Sequence, residues 1–321
     1  MMGVRATSRR DARNGAGSRV MGILVVDKPP GITSHGVVQQ VRRITGIRQV
    51  GHVGTLDPAA RGVLPLLIGR ATKISRFATG WGKTYHATLR LGEARDTQDL
   101  DGAVIFTGAT AGLTEAAIEA TFARFRGDIE QVPPMYSAKK IDGVPLYKLA
   151  RKGKEVEREP KQVHVERLEA TAFRPGDPFW EVDFELTCSS GTFVRTICHD
   201  VGEILGCGGV LARLVRAEAG PFDLAEAVPL ADLERRWNEE RDAILRPVSD
   251  AFSPEQTVVV NSAGHQKLRN GQTITLADVE PPSRDDLPEP VLLYTPGGTL
   301  LAISLPLGSP VWGFRPIAVL V

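Results

Sequence analysis

The sequence predicts an α/β (α+β) fold, with a mixed, largely antiparallel central sheet in most of the chain and a small β-rich domain at its C-terminal end. Three observations predict it. Trp180, Val182, Phe184, Leu186 and Cys188 alternate with Glu181, Asp183, Glu185 and Thr187, the period-two pattern of a strand with one buried face. Val163 to Phe173 reads as its partner across Pro175-Gly176-Asp177-Pro178. A turn that short makes the pair antiparallel, because parallel neighbours need a long crossover. Beyond Pro247, short apolar runs divided by turn residues replace helical spacing.

Taken in order, residues 1–20 carry Arg5, Arg9, Arg10, Arg13 and Arg19 against Asp11, and are expected to form a disordered basic arm. A first domain is expected over 21–248. It opens with a strand, Ile23 to Val26, and a helix from His35 to Ile44 capped by Thr33 or Ser34, with Val37, Val38, Val41 and Ile44 on one face. Apolar Leu64 to Ile68 leads through Gly69 to Lys73 into a second short helix, and Tyr85 to Leu91 alternates as a strand. A helix from Glu115 to Phe125 is capped by Thr114 and closed by Gly127. Pro145 suits the first turn of another, reaching about Arg151 and ending in basic Lys148, Arg151, Lys152 and Lys154. Further helices are expected from Thr196 to Leu205 and Leu230 to Leu245, and over Val210 to Arg216 helical spacing puts Arg213 and Arg216 on one side. The remainder, 249–321, reads as an all-β domain with strands near 258–260, 272–276, 291–295, 300–305 and 311–321, and an acidic surface loop from Asp278 to Glu289.

Composition narrows the function. The 321 residues are 42% apolar and 24% charged with a net charge of +1, ordinary for a soluble globular protein. With no signal-peptide core and no run long and apolar enough to span a bilayer, the expectation is a cytoplasmic protein without a membrane partner. Cys188, Cys198 and Cys207, spaced ten and nine apart, fit neither a disulfide scaffold nor a CxxC metal site. There is no GxxxxGK[ST] or GxGxxG, and the six histidines are scattered. No cofactor and no metal are expected.

The segment GHVGTLDPAARGVLP, Gly51 to Pro65, follows neither helical nor strand periodicity. It carries one carboxylate, Asp57, and Pro58 restricts the turn that presents it. Asp57 could equally cap a helix starting at Pro58. Glycoside hydrolysis would need a second carboxylate opposite it; Asp96, Asp99 and Asp101 are candidates, although an acidic cluster in a glycine-bearing loop better suits a solvated turn. Lys83, Tyr85 and His86, and Phe193 with Arg195 in SSGTFVRTI, combine rings and charge in a way that suits a planar, anionic ligand. The same residues could be core rings and a structural ion-pair partner.

Five ordered segments carry a family resemblance: LVVDKPPGITSHGVV at 24–38, GHVGTLDPAARGVLPLLIGRATK at 51–73, KTYHATLRLGEARDTQDLDG at 83–102, FRGDIEQVPPMYSAKKIDGVPLY at 125–147 and CSSGTFVRTICHDVGEILGCGGVLARLVRAEAGPF at 188–222. In these the chain resembles the TruB family of bacterial tRNA pseudouridine 55 synthases. The resemblance implies a central sheet of pseudouridine synthase type, a thumb-like RNA-gripping insertion near 125–152 and a PUA-like module at 249–321. It implies isomerisation of uridine 55 in the T-loop of tRNA by glycosidic cleavage, base rotation and carbon–carbon bond formation. Asp57 would be the catalytic carboxylate, His52 would lie near the flipped nucleotide, Tyr85 would stack on the uracil and Arg195 would pair with Asp57. Lys28 and Lys73 fall at family positions near the cleft. Phe193 departs from the pattern, since relatives commonly place a tyrosine there; its packing role is expected to persist without a hydroxyl. The implied partner is the tRNA T-arm and T-loop, bound by a monomer with no obligate protein partner and no cofactor.

Overall fold

The computed structural model describes residues 20–137, 139–141, 143–280, 287–308 and 312–320. The basic arm lies outside these residues but for Val20, as does the centre of the acidic loop. The chain runs β1 (Gly22–Lys28), α1 (Ser34–Thr45), β2 (Val50–His52), β3 (Arg61–Ile68), a 3-10 helix (Gly69–Ile74), α2 (Ser75–Ala78) and β4 (Lys83–Leu91). A hairpin of β5 (Glu93–Arg95) and β6 (Val104–Thr107) precedes α3 (Glu115–Ala123), β7 (Gly127–Gln131), the small β8 (Lys140–Ile141) and β9 (Val144–Pro145), and α4 (Leu146–Ala150). Then come β10 (Lys161–Arg174), β11 (Trp180–Cys188), α5 (Val194–Ile204) and β12 (Gly209–Ala219). Short β13 (Phe222–Asp223), β14 (Val228–Pro229), α6 (Leu233–Glu239), α7 (Arg241–Ile244) and β15 (Leu245–Arg246) complete the larger body.

Eleven of these fifteen strands form one sheet whose spine is β14-β1-β3-β12-β4-β11-β10-β7, while β5 with β6 and β8 with β9 pair apart from it. Only β1 with β14 and β3 with β12 pair in parallel, so the expected mixed, largely antiparallel sheet is present. The β10–β11 hairpin forms across the Pro-Gly-Asp-Pro turn, and β11 pairs in register with β4 from Trp180 opposite Leu91 to Cys188 opposite Lys83.

Burial explains the layers. Thr33 caps α1 by accepting from the Gly36 amide at 2.9 Å, and Val37, Val38 and Val41 pack with Leu24, Val26, Leu64 and Leu66 on one face of β1 and β3. The opposite face, Ile23, Val25, Val63 and Leu67, meets Ile303, Ala318 and Leu320. Ile303 and Ala318 belong to a second, five-stranded sheet of order β16 (Thr257–Val259), β18 (Val291–Tyr294), β19 (Leu300–Leu307), β20 (Gly313–Val319), β17 (Ile274–Thr275), and Leu320 directly follows its β20. The small sheet therefore shares a core with the large one. A third cluster covers β4 and β11 with Phe122 of α3 and Ile197 and Val201 of α5, which brings the start of α5 against the sheet.

Three expectations are corrected. Val210 to Arg216 is strand, paired along β4 with a bulge at Ala212; Arg213 is exposed and Arg216 fully buried rather than side by side. The helix expected over Leu230 to Leu245 is two, broken at Glu240, whose backbone (φ −132, ψ 25) is not helical. The C-terminal unit is not all-β, since Asn261 caps a helix, α8 (Ser262–Arg269), by accepting from the amides of Ala263 and Gly264. Lys267 of that helix binds Asp278 at 2.8 Å, so Asp278, assigned to a surface loop, is buried.

Helix α5 crosses β12 at bare backbone: a Cβ on Gly202 would lie 1.9 Å from the Gly209 nitrogen. Gly202→Ala is expected to destabilise the protein by about 3 kcal/mol through forced separation of helix and strand; an unchanged urea midpoint would contradict that packing.

Candidate active site

The loop between β2 and β3 is built from its backbone carbonyls. Lys28, fully buried at the end of β1, donates to Pro58 O at 3.1 Å and Ala60 O at 2.6 Å. Ser34 bonds both the amide and the carbonyl of Leu56, at 2.8 and 3.0 Å. Arg216 reaches from β12 to Gly54 O at 3.0 Å and Val63 O at 2.7 Å. Gly54 has φ +73, and a Cβ there would press on Arg216 Nη1 at 3.2 Å and Lys83 Cε at 3.4 Å, so glycine admits both cations to the loop. The Ala60 amide donates to Asp57 O at 3.1 Å, closing a turn where helix capping had been an alternative. No helix begins at Pro58. With the flanking carbonyls bound, the Asp57 side chain is left to project.

It projects to Arg195, the second residue of α5. Arg195 Nε is 3.0 Å from Asp57 Oδ2. The guanidinium, 6% exposed, also donates to Thr97 O at 2.9 Å, Tyr136 O at 2.7 Å and Asp99 Oδ2 at 3.3 Å. Asp99 in turn accepts from Thr97 Oγ1 at 2.6 Å. Gln98 between them adopts φ +63, a strained conformation for a non-glycine residue, and the loop so formed turns both Thr97 O and Asp99 toward Arg195. Two carboxylates thus share one buried arginine. Burial pushes the Asp57 carboxyl above the usual aspartate range; Arg195 opposes the shift and Asp99 adds to it.

Beside Asp57 a cavity of about 270 Å³ is lined by Lys83, Tyr85, Phe193, Arg195 and Arg216 among others. Asp57 is the only acid among its described lining residues. Tyr85 is buried at 7% exposure, and its hydroxyl is held above the usual phenol range by that burial. Phe193 stands at the N-cap of α5 without a side-chain cap. Gln131, at the end of β7, holds the backbone of that residue: its Oε1 accepts from the Phe193 amide at 2.7 Å and its Nε2 donates to Phe193 O at 3.0 Å.

Of the residues singled out in the sequence, Asp57, Lys83, Tyr85, Phe193 and Arg195 meet at this cavity, whereas His86 is exposed elsewhere. His52 sits one step earlier on β2, outside the lining; its Nδ1 is buried without a hydrogen-bond partner, and burial, with Arg216 and His35, lowers its pKa. Lys28 lies beneath the loop rather than in the cavity, with burial lowering its pKa to about 8. Lys73 points to the small sheet, donating to Val319 O at 2.7 Å. Arg216 was missed because its strand was read as helix; the register against β4, which places Arg216 opposite Tyr85, is the signal that finds it. Asp99 is both of the things weighed for its cluster, a turn former and a second carboxylate, but on Arg195 rather than across the cavity.

Known proteins resemble the chain over most of its length. Residues 42–194 match the family model for the N-terminal domain of TruB family pseudouridylate synthase, and 195–253 the C-terminal domain of tRNA pseudouridylate synthase B. The chain is 42% identical to tRNA pseudouridine synthase B of Syntrophotalea carbinolica over 87% of this chain and 90% of that one. It is 50% identical to the same-named protein of Opitutus terrae over 72% and 94%. Among solved structures, a chain of an H/ACA RNP bound to a substrate RNA containing 2′-deoxyuridine superposes with TM-score 0.69 at 22% identity, covering 94% of this chain and 85% of that one, a likeness of fold. The class so defined is an isomerase with pseudouridylation chemistry on tRNA, built as a mixed sheet with a smaller PUA-like β unit. Within that class, the chain belongs to the TruB family.

Replacing Arg195 by Met leaves Asp57 and Asp99 without their cation, and is expected to lower stability by about 3 kcal/mol, the low end for a broken buried pair because Asp57 is partly solvated. Denaturant unfolding reads the loss; a variant as stable as the parent would mean the pair is not held as described.

Proposed function

We propose that this protein converts uridine 55 in the T-loop of tRNA to pseudouridine, with Asp57 as the catalytic carboxylate. The observation that carries the reading is Asp57 itself, paired with a buried Arg195 at the cavity that Tyr85 and Phe193 line. The uridine is flipped from the RNA loop at a cost of a few kcal/mol, offset by stacking and polar contacts in the pocket. Attack at C1′, removal of the 2′ proton and addition to the ring all require an ionised Asp57 against the nucleotide; Arg195 supplies the opposing charge. The cavity retains the base while it turns. Phe193 offers no hydroxyl, so the C5 proton leaves through water or through another group such as Asp57, whose burial makes it a stronger base than an ordinary carboxylate. Glycoside hydrolysis is disfavoured because Asp99 stands behind Arg195 rather than among the residues lining the cavity.

In this reading 21–248 is the catalytic domain, and the 125–152 insertion grips the T-arm. Lys148, Arg151, Lys152 and Lys154 are exposed there, which suits phosphate contact. His52 lies beside the flipped nucleotide, and 249–321 contacts RNA away from the cleft. Lys28 and Lys73 serve the RNA site indirectly, the first by holding the Asp57 loop and the second by tying that RNA-contacting unit to the catalytic sheet. The protein acts as a monomer in the cytoplasm without a cofactor; among the described residues no helix is long and apolar enough to cross a membrane.

Incubation with unmodified tRNA transcript, followed by mass-spectrometric mapping of pseudouridine, tests the reading; no product at the T-loop uridine would refute it. Asp57→Asn is expected to fold normally and slow single-turnover conversion by roughly 10³-fold or more, and a folded, active variant would remove Asp57 from the mechanism. The parent's rate should fall in acid with a midpoint above the ordinary carboxylate range, in line with the raised Asp57 pKa. Phe193→Tyr should leave the single-turnover rate within a few-fold of the parent, and a many-fold acceleration would count against the packing role given to this ring.

A further inference from the structure

The cavity holds more positive charge than its one carboxylate requires. Arg216 is fully buried and Lys83 is 7% exposed; both line the cavity, and among the described residues neither forms an ion pair with a carboxylate. Arg216 is occupied by the carbonyls of Gly54 and Val63. Lys83 is less committed: its ammonium has three N–H groups, and its hydrogen-bond partner among the described residues is the carbonyl of Trp81. Burying an unpaired cation costs stability, and such a group is retained where the chemistry draws on it.

The pseudouridylation reading, on which this inference rests, supplies the missing anion. When the C1′–N1 bond breaks, its electron pair stays with the uracil, and the negative charge spreads over N1 and the carbonyl oxygens. Asp57 keeps 39% of its side chain exposed, whereas Tyr85, Lys83 and Arg216, which line the same cavity, are buried, as suits contact with the base. A phosphate, tied to the polynucleotide backbone, stays nearer the solvent. We propose that Lys83 is a further catalytic residue, whose ammonium, backed by Arg216, holds the detached uracil anion between N-glycosidic cleavage and carbon–carbon bond formation. After the base turns, C5 returns an electron pair to C1′ and loses its proton, so the charge is cancelled and Lys83 undergoes no net proton change. A fixed charge in a site with little water is the arrangement that stabilises such an intermediate most.

The surroundings also give the proposal a pH signature. Lys83 on β4 is faced by Arg216 from β12, Cys188 from β11 and Lys161 from β10, with Tyr85 on its own strand and Glu218, Glu166 and His164 along the adjoining groove. Burial first, then repulsion by Arg216, lowers its pKa to about 8. The ammonium is present below that value and lost as pH rises through it, so turnover should fall above about pH 8.

The test uses the full chain, as Lys83→Met and Lys83→Arg, with unmodified tRNA transcript. Lys83→Met is expected to slow single-turnover conversion at saturating enzyme by about 10²–10³-fold, keep the tRNA Kd within about twofold and raise the melting temperature. Lys83→Arg, charged throughout, should recover at least tenfold over Met and lose the alkaline decline. The proposal is overturned if Lys83→Met converts at the parent's rate. It is also overturned if that variant binds tRNA more weakly with a shallower salt dependence at an unchanged saturated rate, which marks a phosphate contact. A lowered melting temperature with activity that Arg does not restore marks a structural role and overturns it too. A parent protein that makes no pseudouridine overturns both this inference and the reading beneath it.

Discussion

The site depends on how the carbonyls of residues 54 to 63 are satisfied. A loop leaving the middle of a sheet has polar backbone that neither strand can pair, and buried carbonyls without donors are costly. Here the donors are side chains from elsewhere in the chain: Lys28 from the first strand, Ser34 from the first helix and Arg216 from the twelfth strand. Each is buried, and each fixes a different part of the loop. The outcome is a carboxylate whose place is determined by three separate elements of the fold.

The same economy of donors governs Arg195. Its guanidinium binds two carbonyls as well as two carboxylates, so it is oriented before any ligand arrives. Asp99 balances part of its charge from behind, which leaves Asp57 less completely neutralised than in a simple pair. Burial acts in the same direction, and together they keep the Asp57 carboxyl a stronger base than an exposed aspartate.

Much of this was legible in the sequence, and the reasons differ from residue to residue. The β10–β11 hairpin announces itself by alternation and by its turn, because both signals are local. Asp57 stands out because Gly54, Pro58 and Gly62 interrupt every period around it. Arg195 and Tyr85 came from the family resemblance, since composition left them balanced between core and site. Arg216 could not be found locally: a seven-residue apolar stretch with arginines three apart fits a helix as well as a strand, and only its pairing with β4 decides. Asp99 was visible but its partner was not, because Arg195 lies ninety-six residues away. Helix α8 was lost among short strands for want of apolar periodicity, although its Asn261 cap was there to be read.

The double hydrogen bond between Gln131 and the Phe193 backbone has a mechanical meaning. Gln131 closes the last strand before the 132–152 segment, and Phe193 opens the helix that carries Arg195. That amide, and the Tyr136 carbonyl on Arg195 itself, tie the residues on either side of Pro133 and Pro134 to the first turn of that helix. The 131–136 stretch and the start of the helix that carries Arg195 are thereby joined at two points, one through the Gln131 amide and one through the Tyr136 carbonyl.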